Sequence, residues 1–485
     1  MKKFTKIIPA LVIIVALLHL TGCGGTEATI PITTSSEEAL ADFNAGRVLS
    51  DNLRNVEAHE FFLQATEKDP RFALAFMYAA ISSTYPAEGQ RYLRRAVELA
   101  PQVSDGERML ILSFQAGLDD DTQRQVVLRE KLVAKYSKDK RAHWFLGLAY
   151  NGTDRADEAM AEYKKSIRLD RNFAPVYNQL GYLYFNQDEH KQAEKAFEKY
   201  IELIPDEPNP YDSMADLYTN MGMLEKAIEF YNKALERNPN FTTSLQKVGL
   251  NQVFLRRFEE ARDSFRRVYE LEQTNAGRIT AVFLLGRSYM YEGRYPEVMK
   301  AFDDALSMAY EFSIPVWIIQ LHLMQWIIHW HLNELDEADA MMATIETDRD
   351  TYDFSINLQN NIANVLPVLK TLMAISRNDL DAAQGIIDDF KAGLAEDDDD
   401  GLEAYHTIQA EVSYNRGDFA EAISHAEQGD SDNAMLLYHR ALAHRELNQI
   451  EEARKDLEQL VNWNKDTALH PLVWDEALAA LNNLD

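Results

Sequence analysis

Small and aromatic residues recur at a fixed spacing through the middle of the chain. Three blocks of 34 residues align without gaps: Lys140–Phe173, Ala174–Glu207 and Pro208–Phe241. Positions 8 and 20 of each block are small, positions 11 and 24 are aromatic, and position 32 is proline in two of the three blocks. In block order, position 8 is Gly147, Gly181 and Ala215; position 20 is Ala159, Ala193 and Ala227; position 11 is Tyr150, Tyr184 and Tyr218; position 24 is Tyr163, Phe197 and Tyr231; and position 32 is Arg171, Pro205 and Pro239.

Each block is predicted to be a pair of packed helices. Small residues at positions 8 and 20 let the two helices approach closely, and aromatic residues fill the space between neighbouring helices. Proline near position 32 cannot continue the second helix, so the chain must turn there.

The same spacing continues on both sides of these blocks. It extends back to residue 39 and forward to residue 312, and beyond 312 it degrades while the period survives. The surviving pairs at positions 17 and 20 are Leu335/Ala338, Leu380/Ala383, Phe419/Ala422 and Ile450/Ala453. We therefore predict about twelve helix pairs, regular over 39–312 and degenerate over 313–485. Residues 471–484 are predicted to form a capping helix, because the last face of such an array has no neighbour.

This pattern resembles the tetratricopeptide repeat (TPR) family. The resemblance implies an all-α fold, a right-handed α-solenoid that binds protein partners through a concave surface. In the family, positions 2, 5, 9, 12 and 13 of each first helix face that groove. The matching candidates here are Trp144, Asn178, Tyr182, Phe185, Asn186, Asp212, Asp216, Thr219 and Asn220. Asparagine can hydrogen-bond an extended peptide backbone as donor and acceptor, and aromatic side chains supply contact area.

One known ligand class of the family is not expected in this groove. TPR domains that hold a terminal carboxylate use Lys and Asn at positions 5 and 9. The residues found there are Trp144/Leu148, Asn178/Tyr182 and Asp212/Asp216.

Residues 1–22 are predicted to be an export signal. A basic start, with lysines at positions 2, 3 and 6, precedes the apolar run Ile7–Leu18. That run is shorter than the roughly 20 residues that span a bilayer. Next comes Leu20, Thr21, Gly22 and Cys23, which resembles the lipobox L-x-G-C of bacterial lipoproteins.

The lipobox resemblance implies that residues 1–22 are removed as a signal peptide and that Cys23 carries the lipid. This lipid is then the predicted membrane contact. Residues 23–38 show no helical period and are predicted to be a flexible tether. Gly24, where an Asp would favour the inner membrane, favours the outer membrane in a cell that has one.

Charge and motif content narrow the function further. The formal net charge of −29 opposes binding to nucleic acid. No phosphate-binding, metalloprotease, nucleophile-elbow or dinucleotide motif is present, so we predict neither an enzyme nor a cofactor. The pair His322 and His329 is an incomplete metal site, and His331 lies on another helix face. Asp397–Asp400 lacks the bidentate ligand of a calcium loop.

Together these features predict a membrane-tethered interaction scaffold or assembly factor in the bacterial cell envelope. The alternative is a small-molecule or glycan-binding lipoprotein that works with a transporter. It would use an aromatic pocket around Trp317–Trp330.

Overall fold

The computed structural model describes residues 29–484, except 84, 154, 353, 355, 396, 397 and 466. The predicted signal segment and the predicted lipobox at Leu20–Cys23 lie outside the described residues. In the described part of the chain, every regular element is a helix. The α-helices up to the middle of the chain are α1 Glu37–Asp51, α2 Asn55–Lys68, α3 Ala73–Ser82, α4 Pro86–Leu99, α5 Asp105–Leu118, α6 Thr122–Lys135, α7 Lys140–Asn151, α8 Ala156–Leu169, α9 Ala174–Asn186, α10 His190–Leu203, α11 Asn209–Asn220 and α12 Leu224–Arg237.

The remaining helices continue the array to the C-terminus. They are α13 Thr242–Phe254, α14 Phe258–Leu271, α15 Asn275–Met290, α16 Tyr295–Glu311, α17 Pro315–His331, α18 Leu335–Thr351, α19 Ile356–Ser376, α20 Leu380–Gly393, α21 Asp399–Arg416, α22 Phe419–Ala426, α23 Ala434–Glu446, α24 Ile450–Val461 and α25 His470–Asn482. These helices pack in consecutive pairs, with α25 left over at the end. The predicted all-α array of about twelve pairs with a terminal helix is therefore confirmed.

The helices divide into two compact units. Unit 1 ends at Leu183 and unit 2 begins at Tyr184, so α9 crosses the division. An apolar cluster in unit 1 runs from Ala39 to Phe145. In unit 2, Phe302 and Ile318 belong to one cluster, which packs across residue 312. The predicted change from a regular to a degenerate array at residue 312 stays a prediction.

Glycine at position 8 receives the aromatic ring at position 24. A Cβ added to Gly147 would come within 2.4 Å of the Tyr163 ring. The same addition to Gly249 would come within 2.4 Å of the Phe265 ring. At Gly147 and Gly249 the ring lies directly on the backbone of the first helix, so a side chain at either residue would push the two helices apart.

The turn between the helices of a pair places one residue in the left-handed region. Its φ is +59° at Leu53 and at Arg256, +58° at Asn333 and +70° at Gly222. Only glycine adopts this conformation without steric cost. At these four turns the left-handed conformation is thus the same while the residue that adopts it varies.

The segment before α1 is bound to unit 1, in contrast to the flexible tether predicted for it. The Ile30 N–H donates to Asp139 Oδ2 at 3.0 Å, and the Thr33 N–H donates to Glu107 Oε1 at 2.8 Å. Thr34 Oγ1 donates to Asp69 Oδ2 at 2.6 Å. The prediction was wrong from residue 30 onward, because three carboxylates accept these hydrogen bonds. They belong to the residue after α2, to the first turn of α5 and to the residue before α7.

No helix in the described residues is long and apolar enough to cross a bilayer.

Candidate functional site

The groove candidates of unit 1 lie in or near its apolar core. The Trp144 ring packs 4.9 Å from the Phe145 ring and 5.5 Å from the Phe173 ring, between centroids. The Trp144 indole N–H is enclosed without a hydrogen-bond acceptor in the described part of the chain. Asn178 is buried and Tyr182 is half-buried on α9. This part of the predicted groove is apolar and aromatic rather than a row of exposed amides.

The candidates that belong to unit 2 begin at the end of α9. Phe185 is half-buried and Asn186 is exposed there. Asp212, Asp216, Thr219 and Asn220 follow on α11.

Asp212 and Asp216 form an internal ion-pair network with the next repeat. Lys247 Nζ, from α13, lies 2.9 Å from Asp212 Oδ2 and 2.7 Å from Asp216 Oδ1. Ser244 Oγ donates to Asp212 Oδ1 at 2.7 Å, and the Tyr231 hydroxyl donates to Asp216 Oδ1 at 2.6 Å. The two predicted groove carboxylates therefore join α11 to α13.

Burial and charge act against each other in this network. Burial raises the pKa of the Asp212 carboxyl, and Lys247 partly opposes that effect. Burial lowers the pKa of Lys247, but Asp212 and Asp216 outweigh it, and the net pKa is raised. Lys247 therefore stays protonated at neutral pH and supplies the charge that compensates the buried carboxylate.

Sequence reasoning missed Lys247 because it stands outside the groove positions of the family. An available signal was the opposite charge of residues 212 and 247, which occupy neighbouring first helices at nearly the same position.

Thr219 and Asn220 contact the C-terminal segment of the chain. Asn464 Nδ2 donates to the Thr219 carbonyl oxygen and, at 3.2 Å, to the Asn220 carbonyl oxygen. Thr219 Oγ1 also donates to Asn251 Oδ1 at 3.1 Å. The end of α11 is thus covered by a residue 244 positions later in the chain.

Further contacts extend this docking along unit 2. The Arg256 guanidinium lies 3.5 Å from the Trp474 ring centroid and donates to Asp475 Oδ1 at 3.0 Å. Arg287 Nη2 donates to the Thr467 carbonyl oxygen. Described residues between Asn464 and Asp475 therefore contact the end of α11, the turn that follows α13 and the C-terminal part of α15. Sequence analysis predicted the capping helix but none of these contacts.

His470 is the buried polar residue at the centre of this docking. Its Nδ1 accepts from the Tyr291 hydroxyl at 3.1 Å, and its Nε2–H donates to the Leu460 carbonyl oxygen at 3.0 Å. Burial lowers the pKa of His470 to about 4. The neutral ring fits this arrangement, since one nitrogen accepts and the other donates.

The three histidines near residue 325 each have a different partner. His322 Nδ1 lies 2.6 Å from Asp348 Oδ2, and His329 Nδ1 lies 2.7 Å from Glu334 Oε2. His331 Nε2 lies 2.8 Å from the Tyr295 hydroxyl oxygen. They do not converge on a common point.

The aromatic residues of Trp317–Trp330 fill the core rather than line a pocket. Trp326 is 1% exposed and stacks on Trp330 with centroids 5.9 Å apart. Trp317 packs 5.3 Å from Phe283. The aromatic pocket required by the small-molecule alternative is therefore absent from this cluster.

The acidic run near residue 398 ends in a helix cap. Asp398 Oδ1 accepts from the Gly401 N–H at 2.9 Å and begins α21. Asp397 lies outside the described residues. Across the residues that are described, no three metal-binding side chains cluster.

Comparison with known proteins agrees with this repeat architecture. The sequence matches the tetratricopeptide repeat family at residues 140–173, 174–207, 213–241 and 434–467. The chain therefore contains tetratricopeptide repeats. The last of these matches lies on α23 and α24, within the TPR-like region predicted to be degenerate.

Several solved TPR structures are similar to parts of the chain. A TPR protein from Parabacteroides merdae is 16% identical, with a TM-score of 0.39, covering 55% of this chain and 98% of its own. PilF of Pseudomonas aeruginosa is 16% identical, with a TM-score of 0.35, and the match covers 43% of this chain and 96% of PilF. YrrB, described as a TPR protein with an unusual peptide-binding site, is 20% identical, with a TM-score of 0.29, covering 37% and 91%. No curated protein matches the sequence.

Proposed function

We propose that this TPR protein is a membrane-tethered interaction scaffold or assembly factor of the bacterial cell envelope. The observation that carries the proposal is the lipobox pattern at Leu20–Cys23, fourteen residues before the first helix of a chain that is built from TPR-like repeats. TPR arrays bind protein partners through the surface of their repeats, and a lipid on Cys23 confines that surface to a membrane. Gly24 supports the outer membrane as the location.

The bound segment before α1 gives this tether a length. Cys23 is seven residues before Ile30, where the chain joins unit 1. Seven residues reach at most about 25 Å, whatever their conformation. Unit 1 is therefore held next to the membrane surface, and its partners must be accessible there.

A substitution in the lipobox tests the tether. Cys23→Ser removes the acyl acceptor, so we expect the full chain to leave the membrane fraction of the native cell. Thr21→Val is the matched control, because the second lipobox position is variable and the thiol is retained. Fractionation followed by immunoblotting measures both variants. If the Cys23→Ser protein stays on the membrane with unchanged abundance, lipid tethering is wrong.

Crosslinking in the native envelope tests the scaffold role separately. We expect the wild-type protein to capture at least one envelope protein, and Cys23→Ser to lose partners that are confined to the membrane. Recovery of no partner by the wild-type protein contradicts the scaffold role, even if the lipid is present.

A further inference from the structure

Unit 1 contains an open cavity of about 910 Å³ outside the predicted groove. It lies between the pair α3 and α4 and the pair α5 and α6. Its walls are mostly apolar, formed by residues such as Leu93, Val97 and Phe114. At its rim Tyr85 is 67% exposed and Leu118 is 66% exposed. Cavities of this size, apolar with a few fixed polar groups, are typical of ligand sites.

A buried arginine lines this cavity without a carboxylate partner. Arg129 is 4% exposed. Its Nη1 donates to the Phe145 carbonyl oxygen at 2.8 Å and its Nε to Ser113 Oγ at 3.3 Å. Nη2 has no acceptor, and no acidic side chain forms an ion pair with this guanidinium, among the residues that the structure describes. Arg129 therefore carries a positive charge that only neutral groups contact.

The other charged residues at the cavity leave this charge uncompensated. Arg94 is exposed at the rim and forms no ion pair in the described part of the chain. Glu98 is paired with Arg95 at 2.9 Å, which leaves Asp119, exposed at the end of α5, as the remaining acid of the lining. Burial lowers the pKa of Arg129 to about 10, so it remains protonated at neutral pH. In a chain of net charge −29, this cavity is a local site for an anion.

Side-chain amides beside the arginines indicate what kind of anion fits. Gln90 and Gln115 line the cavity, and their amide groups make no hydrogen bond among the described residues. An amide offers both a donor and an acceptor, as a peptide backbone requires. A simple aliphatic carboxylate would fill the apolar walls and contact the arginines but would make no use of these amides.

We propose that this cavity binds an extended peptide of a partner protein in which apolar side chains flank one carboxylate. The carboxylate contacts Arg129 and Arg94, the peptide backbone pairs with Gln90 and Gln115, and the apolar side chains cover Tyr85 and Leu118. The proposal rests on the scaffold function only in taking the ligand from a protein. It places the ligand between two repeats rather than on the row of first helices.

A peptide array tests the chemistry of the ligand. The probes are immobilised nonapeptides of varied Leu, Val, Phe and Ser content with a central Asp, beside the same peptides with a central Asn. We expect the purified full chain to bind a subset of Asp peptides at least about tenfold more tightly than their Asn counterparts, because the charge-assisted hydrogen bonds are lost. Equal binding to both sets, or none to either, overturns the proposal.

Variants of the chain then locate the site by fluorescence polarisation with the tightest Asp peptide. We expect Arg129→Gln to weaken binding about tenfold or more and Arg94→Gln to weaken it severalfold. Arg91→Gln is the matched control, because Arg91 is exposed on the same helix but does not line the cavity. Gln115→Trp, which fills the cavity, keeps the test decisive if Arg129→Gln does not fold. Unchanged binding by folded Arg94→Gln and Gln115→Trp contradicts the assignment.

Two further outcomes separate the alternatives. In the first, octanoate binds to the wild-type protein but not to Arg94→Gln, and no peptide binds. That result would contradict a peptide ligand and indicate an aliphatic carboxylate. If Arg94→Gln and Gln115→Trp capture the same envelope partners as the wild-type protein, the scaffold function is retained. The cavity is then not the site at which those partners bind.

Discussion

Two cations, one in each unit, have their charge compensated in different ways. In unit 2, Lys247 lies between Asp212 and Asp216, so its charge is balanced within the chain. In unit 1, Arg129 is more deeply buried but contacts a carbonyl oxygen, a hydroxyl and two aromatic rings. Paired charges join neighbouring repeats, whereas an unpaired charge beside a cavity can recruit a ligand. Under the proposal for the cavity, charge pairing within the chain separates a cation that joins repeats from one that is available to a ligand.

The largest expected effect comes from removing the cation of unit 2. Lys247→Met leaves the buried Asp212 carboxylate without compensation, and we expect the local stability of α11 and α13 to fall by about 4 kcal/mol. Arg129→Met removes hydrogen bonds but strands no carboxylate, so α5 to α7 should lose only about 1 kcal/mol. Amide hydrogen exchange measures both regions in the full chain.

A double variant serves as the control for that comparison. Asp212→Asn together with Lys247→Met removes both charges and should recover part of the stability that Lys247→Met loses. Equal losses of local stability in Lys247→Met and Arg129→Met would show that the two cations contribute equally to stability, which would contradict the comparison.

The docked C-terminal segment gives unit 2 a pH dependence that centres on His470. Its folded pKa of about 4 lies below the ordinary value of 6.5, so the unfolded chain takes up a proton first as the pH falls. The contribution of neutral His470 to the free energy of unfolding is therefore complete above pH 6.5. It falls by about 3 kcal/mol as the pH is lowered from about 6.5 to 4.

Hydrogen exchange of residues 463–482 at pH 7 and pH 4.5 measures this loss. His470→Gln is the control, since it cannot titrate and should show a smaller change over the same interval. The difference between the two proteins removes the contribution of the many carboxylates. A wild-type change no larger than that of His470→Gln would exclude His470 as the titrating group.

The smallest expected difference in stability is between two glycines that pack against an aromatic ring in the same way, one in each unit. Gly147→Val in unit 1 and Gly249→Val in unit 2 each force a side chain against a ring 2.4 Å away. We expect each to cost about 2 kcal/mol. Gly385→Val is the control, because a Cβ there meets no atom within 4 Å. Scanning calorimetry compares the three, and a loss confined to one unit would contradict a shared packing rule.

The repeat fold could be predicted because its core residues recur with the chain period. A glycine such as Gly147 and a ring such as Tyr163 always meet, since both belong to one repeat and local spacing fixes their contact. The left-handed turn residue could not be found in this way, because Leu53, Arg256 and Asn333 share no chemistry.

The use of individual side chains was harder to predict than the fold. The candidates Asp212 and Asp216 occupy groove positions, yet the next repeat supplies Lys247 and draws them into the interior. Arg129 does not recur with the repeat period, and its proposed role in binding depends on the absence of a carboxylate next to it among the described residues. Such properties arise from three-dimensional neighbours rather than from spacing within one repeat.

The contact between Asn464 and the end of α11 changes how unit 2 is expected to unfold. Repeat proteins usually behave as one-dimensional chains that fray from their ends, because each repeat contacts only its neighbours. Here the last residues are joined to positions up to 245 residues earlier. Loss of the terminal helix then also releases contacts on α11 and α15, so the end of the array cannot melt alone. Unit 2 should open as one cooperative block.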